Sequence, residues 1–217
     1  MPVQVVFRKT SLVDYPGVVS SVIFFYGCNL RCPWCHNGEL VRSAGTGDAG
    51  TFPLAQALAH IERRRKLLGG VVLSGGEPTL FSGLGETIAR IKSLGLPVKL
   101  DTNGMRPGTL KALFADPQTR PDYIAMDLKL APERYAELLP GTDGEKDVSG
   151  EFLKRSAALL RASGITHEFR TLALPTPYFG DSDLAALAPL AGDSPWHIRP
   201  FVPGNCLDPA WDSAAIP

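Results

Sequence analysis

Residues 18–37 read VVSSVIFFYGCNLRCPWCHN, an apolar run that leads directly into a loop carrying three cysteines. The run, Val18–Tyr26, has the length and the β-branched and aromatic content of a buried strand. Cys28, Cys32 and Cys35 then fall within eight residues. Cysteines at such short spacing are typical of metal ligands or redox thiols when no export signal precedes them. The stretch therefore predicts a buried strand that ends at a chemically active loop.

Six segments in all, this one included, read as buried strands. They are Val18–Tyr26, Gly70–Ser74, Pro97–Asp101, Tyr123–Lys129, His167–Leu174 and Trp196–Phe201. Apolar residues at helical spacing lie between most of them, as at Leu84, Ile88 and Ile91. A strand followed by a helix, repeated along a chain, predicts right-handed crossovers and a parallel sheet.

The predicted strands carry charged residues on one face only. Lys99 and Asp101 point to one side of their strand, while Val98 and Leu100 point to the other. Three later strands repeat this pattern. A sheet with helices on both sides is apolar on both faces. The pattern therefore favours an α/β fold of the partial (β/α)6 TIM-like barrel type, with helices outside and a polar cavity inside.

The composition is that of an ordinary globular protein, and it excludes several classes of function. The 217 residues are 44% hydrophobic and 20% charged, and 22 Lys and Arg balance 22 Asp and Glu. A general nucleic-acid binder would need an excess of positive charge, and no apolar stretch is long enough to span a membrane. No signal peptide opens the sequence, so we expect a cytoplasmic protein. We assign residues 1–202 to the barrel domain and residues 203–217 to an irregular C-terminal tail.

Two kinds of metal centre are compatible with the three clustered cysteines. A structural zinc ion usually takes four ligands, and no fourth ligand lies close in sequence, although His36 is adjacent and Cys206 is distant. A cubane iron–sulfur cluster also takes four thiolates as a rule. With three thiolates, one iron stays open for a substrate or cofactor. The cysteines alone leave zinc and such a cluster as alternatives.

Two motifs together resemble those of the radical S-adenosylmethionine (radical SAM) enzymes. The first is the CxxxCxxC spacing of residues 28–35, with Trp34 just before the third cysteine. The second is Gly75-Gly76-Glu77-Pro78 at the end of the second predicted strand, which is similar to the GGEP motif of that family. The resemblance covers nearly the whole chain. It implies a partial barrel of the radical SAM type.

Four further segments narrow the resemblance to the enzymes that activate glycyl radical enzymes. They are Leu12-Val13-Asp14-Tyr15-Pro16-Gly17, Cys35-His36-Asn37, Asp101-Thr102-Asn103-Gly104 and Met126-Asp127-Leu128-Lys129. The first of them looks most like the activating proteins of anaerobic ribonucleoside-triphosphate reductase. The pyruvate formate-lyase activating enzymes are close relatives of these proteins.

The resemblance implies a [4Fe–4S] cluster held by Cys28, Cys32 and Cys35, with S-adenosylmethionine (SAM) chelating the fourth iron. The residues expected to bind SAM are Trp34, His36, Gly75, Gly76, Glu77, Asp101, Thr102, Asn103, Lys129 and Arg170. Two of them have a second interpretation, since Trp34 could simply pack the loop and Lys129 could pair with a neighbouring aspartate. A further set resembles a monovalent-cation site of some activating enzymes, and its members are Asp101, Thr102 and Asp127.

The implied reaction is reductive cleavage of SAM, after which a nucleoside radical removes hydrogen from a backbone glycine of a partner enzyme. The implied partner is anaerobic ribonucleoside-triphosphate reductase, and an external flavodoxin or ferredoxin supplies the electron. Asp14 and Tyr15 either face the partner's glycine loop or form a turn. The alternatives are an activase of another glycyl radical enzyme such as pyruvate formate-lyase, a radical SAM enzyme acting on a small molecule, and a zinc-stabilised binding module.

Overall fold

The computed structural model describes residues 2–42, 50–141 and 149–213. Its strands are β1 (Gln4–Ser11), β2 (Ser20–Phe25), β3 (Thr51–Pro53), β4 (Gly70–Gly75), β5 (Val98–Thr102), β6 (Tyr123–Asp127), β7 (Thr166–Ala173) and β8 (Trp196–Pro200). Its α-helices are α1 (Gly38–Arg42), α2 (Leu54–Arg64), α3 (Leu84–Ser93), α4 (Pro107–Ala115), α5 (Ser149–Ala162) and α6 (Asp181–Ala191). Short 3-10 helices span Pro78–Leu80, Pro132–Leu138 and Pro209–Trp211. None of the helices in these ranges combines the length and the apolar character that crossing a membrane requires.

All eight strands form one sheet in the order β3-β1-β2-β4-β5-β6-β7-β8. From β2 onward, each strand runs parallel to its neighbour. These parallel strands are the six that the sequence predicts, and an α-helix lies between each consecutive pair. Sequential parallel strands joined in this way have the topology of a partial (β/α)6 barrel. The predicted α/β fold class is confirmed.

Two antiparallel strands at the edge of the sheet are not predicted from the sequence. β1 pairs with β2, placing Phe7 opposite Ile23, and β3 pairs with β1. Val5 and Phe7 are buried, but the following Arg8 and Lys9 are exposed. The alternation in β1 is therefore too short to stand out in the sequence. The partial barrel is extended by this antiparallel pair on the side of its first parallel strand.

The hydrophobic core lies on one face of the sheet, between the strands and the helices. Leu73 and Leu100 of the sheet are fully buried in the same cluster as Ile88 of α3 and Leu110 of α4. The opposite face carries a small separate cluster without a helix residue from the described ranges, formed by Tyr15, Val18, Val22, Phe24, Val72 and Tyr123. Helices thus cover one face only, as the alternation of charged and apolar residues predicts.

The residues after β8 fold back onto the barrel. Trp211, in the last 3-10 helix, is 4% exposed and belongs to the main core cluster. Residues 214–217 lie outside the described ranges. The division of the chain into a barrel domain and a tail at residue 202 stays a prediction.

Replacing Leu100 with Ala is expected to lower the free energy of unfolding by about 2–5 kcal/mol, because the change leaves a cavity in the core. Urea unfolding followed by circular dichroism measures this. Leu67→Ala is the matched control, since Leu67 is 67% exposed and its truncation should change the value by less than about 0.5 kcal/mol. Equal losses in the two variants would contradict this placement of the core.

Candidate active site

A cavity of about 390 Å³ opens where the C-terminal ends of the parallel strands meet. In parallel barrels this end forms the active face. The cavity brings together all the residues that the sequence assigns to the cluster or to SAM. They are Cys28, Cys32, Trp34, Cys35, His36, Gly75, Gly76, Glu77, Asp101, Thr102, Asn103, Lys129 and Arg170.

The three cysteines of the loop after β2 are free thiols that differ in burial. Cys32 is 6% exposed, whereas Cys28 and Cys35 are half-buried. Burial raises the pKa of the Cys32 thiol to about 12, and it also raises the pKa of Cys28. Within the described ranges, no group of three or more His, Cys, Asp or Glu side chains is placed to hold a metal ion. The thiols therefore line the cavity as separate groups rather than as a closed cage around one ion.

Gly75 and Gly76 bring the end of β4 directly against the start of the cysteine loop. Gly75 has a φ of +126°, and a Cβ there would lie 2.3 Å from the carbonyl oxygen of Phe25. A Cβ on Gly76 would lie 2.0 Å from the carbonyl oxygen of Gly27. The sequence predicts that these glycines admit a ligand close to the backbone. In the structure, the lack of side chains at these two positions also lets the start of the cysteine loop pack closely against the end of β4.

Glu77 is 1% exposed, and its carboxylate is already bonded within the protein. Oε1 accepts from the N–H and hydroxyl of Thr79 and from the hydroxyl of Thr102. Oε2 accepts from the N–H of Asn103 at 2.7 Å. Burial raises the pKa of Glu77, and these hydrogen bonds oppose that shift. For the predicted binding of SAM, Glu77 therefore has only Oε2 available to accept from a further donor, since a carboxylate oxygen offers about two lone pairs.

Thr102 and Asn103 line the cavity, and their side-chain polar groups form hydrogen bonds within the protein. The Thr102 hydroxyl donates to Glu77 and accepts from the N–H of Gly104 at 3.2 Å. The Asn103 amide donates to Asn29 at 2.8 Å and also contacts the cysteine loop. Both side chains are buried. The binding of SAM by these two residues stays a prediction, and the Thr102 hydroxyl and Asn103 Oδ1 each keep acceptor capacity for it.

Five charged side chains form a connected network on the inner face of β5, β6 and β7. Asp101 pairs with Lys99 and, at 3.6 Å, with Arg170. Asp127 pairs with Arg170 at 3.0 Å and with Lys129 at 3.1 Å. Burial alone would raise the pKa of Asp127, but the charges of Lys129 and Arg170 lower it to about 2. Lys129 thus pairs with an aspartate and lines the cavity at the same time, so its two interpretations are compatible.

In this network the two carboxylates of the predicted monovalent-cation site are already paired, and the site stays a prediction. Asp101 and Asp127 each pair with two cationic side chains. The Thr102 hydroxyl is directed to Glu77. A bound cation would have to break ion pairs that already compensate both carboxylates.

The segment 203–213 is fastened to the cysteine loop. The N–H of Leu207 donates to the carbonyl of Cys35, and the N–H of Asp208 donates to the carbonyl of Pro33, both at 2.9 Å. These hydrogen bonds give partners to two backbone carbonyls of the cysteine loop. The sequence carries no signal for them, because neither partner belongs to a strand with a recognisable pattern.

The side chains of Trp34 and His36 strengthen this attachment. The Trp34 ring packs on Trp211 with ring centroids 5.3 Å apart, which favours the loop-packing interpretation of Trp34. The His36 ring stacks on Phe201, and its Nε2 lies 3.0 Å from the carbonyl oxygen of Val202. Both residues line the cavity while they hold the C-terminal segment in place.

Several cavity residues have no role assigned from the sequence. They are Arg8, Phe24, Leu30, Asn37, Val41, Ser74 and Leu172. Arg8 lies on β1, the strand that the sequence analysis does not predict, and it pairs with Asp14 at 3.0 Å. The alternation of Val5 and Phe7 is the only signal that could have placed Arg8 on the inner face. The remaining residues lie beside the predicted ones on the same strands and loops.

The sequence profile of the radical SAM superfamily matches residues 22–188, from the first parallel strand to the last helix. The chain belongs to the radical SAM superfamily. This radical SAM enzyme is 30% identical over 209 residues to a protein of Methanocaldococcus jannaschii whose name is "putative glycyl-radical enzyme activating enzyme". That similarity covers 95% of this chain and 83% of the other. It is also 29% identical over 146 residues to the pyruvate formate-lyase-activating enzyme of Clostridium pasteurianum, covering 66% of this chain and 56% of that enzyme.

A solved radical SAM methyltransferase from Sphaerobacter thermophilus has a similar structure. The TM-score is 0.59 at 20% sequence identity, and the match covers 86% of this chain and 56% of the methyltransferase. At this identity the likeness shows the fold alone. The chain spans little more than half the length of both the clostridial enzyme and the methyltransferase.

As a radical SAM enzyme, the protein uses a [4Fe–4S] cluster and SAM. The donors in the cavity fit this cofactor, because a cubane binds each cysteine thiolate on a different iron and three cysteines line the cavity. The three cysteines leave one iron without a protein ligand. Membership of this enzyme family sets aside the alternative of a zinc-stabilised binding module.

In the cluster-free protein, iodoacetamide at pH 8 is expected to alkylate Cys35 before Cys32. A pKa of about 12 leaves Cys32 as thiolate in about one molecule in 10,000 at this pH, and its side chain is buried. Peptide mass spectrometry over a time course measures the order. Alkylation in urea is the control, since unfolding should remove the difference. Equal rates in the folded protein would contradict the placement of Cys32.

Proposed function

We propose that this radical SAM enzyme activates a glycyl radical enzyme by removing one hydrogen atom from a backbone glycine of that partner. The observation that carries the proposal is the single cavity shared by the three thiols, the end of β4 and the charged network of β5 to β7. The similarity to the Methanocaldococcus jannaschii protein, over 95% of this chain, supports the same conclusion.

Different residues of the cavity would bind the cluster and SAM. Cys28, Cys32 and Cys35 would hold three irons of the cluster. When bound, the cluster and SAM supply the electron and the nucleoside fragment that abstracts hydrogen. Lys129 and Arg170 are cations in the cavity wall, and they suit the carboxylate of SAM. Because Asp127 already holds both cations in place, they need little reorganisation when a ligand binds.

The connection between β1 and β2 offers a contact for a polypeptide partner. Leu12 and Val13 are 72% and 83% exposed there. Asp14, the next residue, lines the cavity. Adjacent exposed apolar side chains beside a polar cavity are typical of a protein contact surface. Tyr15 does not take part, because it is buried against Tyr123. For this residue the structure favours the turn, one of the two interpretations that the sequence leaves open.

Anaerobic ribonucleoside-triphosphate reductase is the partner that we put first, on the likeness of residues 12–17 to its activating proteins. The similarity to the pyruvate formate-lyase-activating enzyme of Clostridium pasteurianum makes an enzyme of the pyruvate formate-lyase type the second candidate. A flavodoxin or ferredoxin in the cytoplasm is the electron donor that we propose. We place action on a small molecule third, because the similarity that covers 95% of this chain is to a protein named as a glycyl-radical enzyme activating enzyme.

Replacing Cys35 with Ser is expected to abolish cluster assembly and glycyl radical formation, because two thiolates do not hold the cube. The measurement is electron paramagnetic resonance of anaerobically reconstituted enzyme mixed with SAM, a reductant and each candidate partner. Cys206→Ser is the matched control, since Cys206 is buried but does not line the cavity. It should keep both iron content and radical yield.

Three outcomes of this experiment would overturn parts of the proposal. Native enzyme that cleaves SAM without forming a radical on any candidate would favour a small-molecule substrate. A radical on the lyase but not on the reductase would replace the first candidate partner by the second. Loss of the cluster in Cys206→Ser as well would contradict the three-thiolate assignment.

Val13→Asp is expected to lower the rate of radical formation on the partner at least about tenfold, equal to about 1.4 kcal/mol of binding free energy. SAM cleavage without the partner should stay unchanged, because Val13 is exposed and does not line the cavity. Val3→Asp is the control, because Val3 lies at the opposite end of β1 from Val13. The strand has eight residues and is roughly 26 Å long. Equal effects of both variants would contradict a partner contact at Val13.

A further inference from the structure

The sulfur of Cys28 accepts hydrogen bonds from two N–H groups. The backbone N–H of Leu30 lies 3.4 Å from it, and the side-chain nitrogen of Asn103 lies 3.8 Å from it. Sulfur accepts over longer distances than oxygen because its atomic radius is larger. Both of these hydrogen bonds go to one of the three cysteines of the loop. The cysteine loop is thus asymmetric in its hydrogen bonding.

The orientation of the Asn103 amide is fixed by its other two contacts. Its Oδ1 accepts from the N–H of Met105 at 2.9 Å, and its Nδ2 donates to Oδ1 of Asn29 at 2.8 Å. A flipped amide would place two donors together at Met105 and two acceptors together at Asn29. The NH2 group therefore faces Cys28, with one hydrogen for Asn29 and the other for the sulfur.

The backbone of Asn103 is held as firmly as its side chain. Its N–H donates to the buried carboxylate of Glu77 at 2.7 Å, and the preceding Thr102 donates to the same carboxylate. Gly104, which follows, has a φ of +76° that turns the chain at this point. The carbonyl of Gly104 accepts from the hydroxyl of Ser156 on α5. These contacts leave the amide little freedom to move away from the sulfur.

We propose that Asn103 is a positioning residue that acts through Cys28 and raises the reduction potential of the cluster. An N–H group directed at a thiolate stabilises negative charge on that sulfur, and reduction adds one negative charge to the cluster. Hydrogen bonds to the sulfurs are among the factors that set the potentials of iron–sulfur clusters. The proposal rests on the cluster of the proposed function but needs neither SAM nor the partner enzyme.

Asn103→Leu tests the proposal, because it removes the donor without adding charge or much volume. The equilibrium constant for one-electron reduction of the cluster should fall about tenfold, which corresponds to about 59 mV. A redox titration followed by electron paramagnetic resonance, without SAM, measures this. Asn29→Leu is the matched control, since it removes the partner of Asn103 but keeps the donor to Cys28. In Asn29→Leu, the equilibrium constant for one-electron reduction of the cluster should stay within about twofold of the native value.

An unchanged potential in Asn103→Leu, or equal shifts in both variants, would overturn the proposal. A second measurement applies to the native protein and covers the case in which Asn103→Leu does not assemble a cluster. With ¹⁵N-labelled asparagine, pulsed paramagnetic resonance of the reduced cluster should show coupling to a side-chain amide nitrogen. No such coupling would overturn the proposal as well. Native protein that assembles no cluster would instead overturn the proposed function.

Discussion

The buried carboxylate of Glu77 is the junction on which the arrangement of the cavity depends. Its oxygens accept from the loops that follow β4 and β5. Its own N–H donates to the carbonyl of Gly27 at 2.8 Å, just beyond the end of β2. Three parallel strands therefore end at one residue. An amide at this position could not accept from four donors, since its nitrogen carries hydrogens.

The charged inner face of the sheet shows how the barrel keeps polar groups in its interior. Lys99 is 1% exposed, and a buried cation costs several kcal/mol unless it is paired. Asp101 supplies that pair, and Arg170 links it to Asp127 and Lys129. The charges compensate one another across three neighbouring strands. The cavity wall is thus polar and ordered through contacts within the protein.

The sequence predicts the parallel strands and brings its candidate site residues to one cavity, but it does not predict the contacts among them. Apolar runs such as Val18–Tyr26 mark the strands, and their ends converge because parallel strands share one active edge. β1 and β3 are missed since the first is interrupted by charges and the second has three residues. The bonds of Glu77 to Thr102 and of Asn103 to Asn29 join residues 25 and 74 positions apart. No local sequence pattern indicates which of two adjacent polar side chains binds the ligand and which one forms hydrogen bonds within the protein.

The attachment of segment 203–213 to the cysteine loop has a consequence for the order of events during biosynthesis. The loop is translated early, but Leu207 and Trp211, which support it, follow roughly 170 residues later. A ribosome adds about 5–20 residues per second, so the nascent loop waits about 10–35 s for this support. During that interval Cys35 and Trp34 lack the bonds that fix them in the finished protein. The cysteine loop therefore gains its final set of contacts only after segment 203–213 has been synthesised.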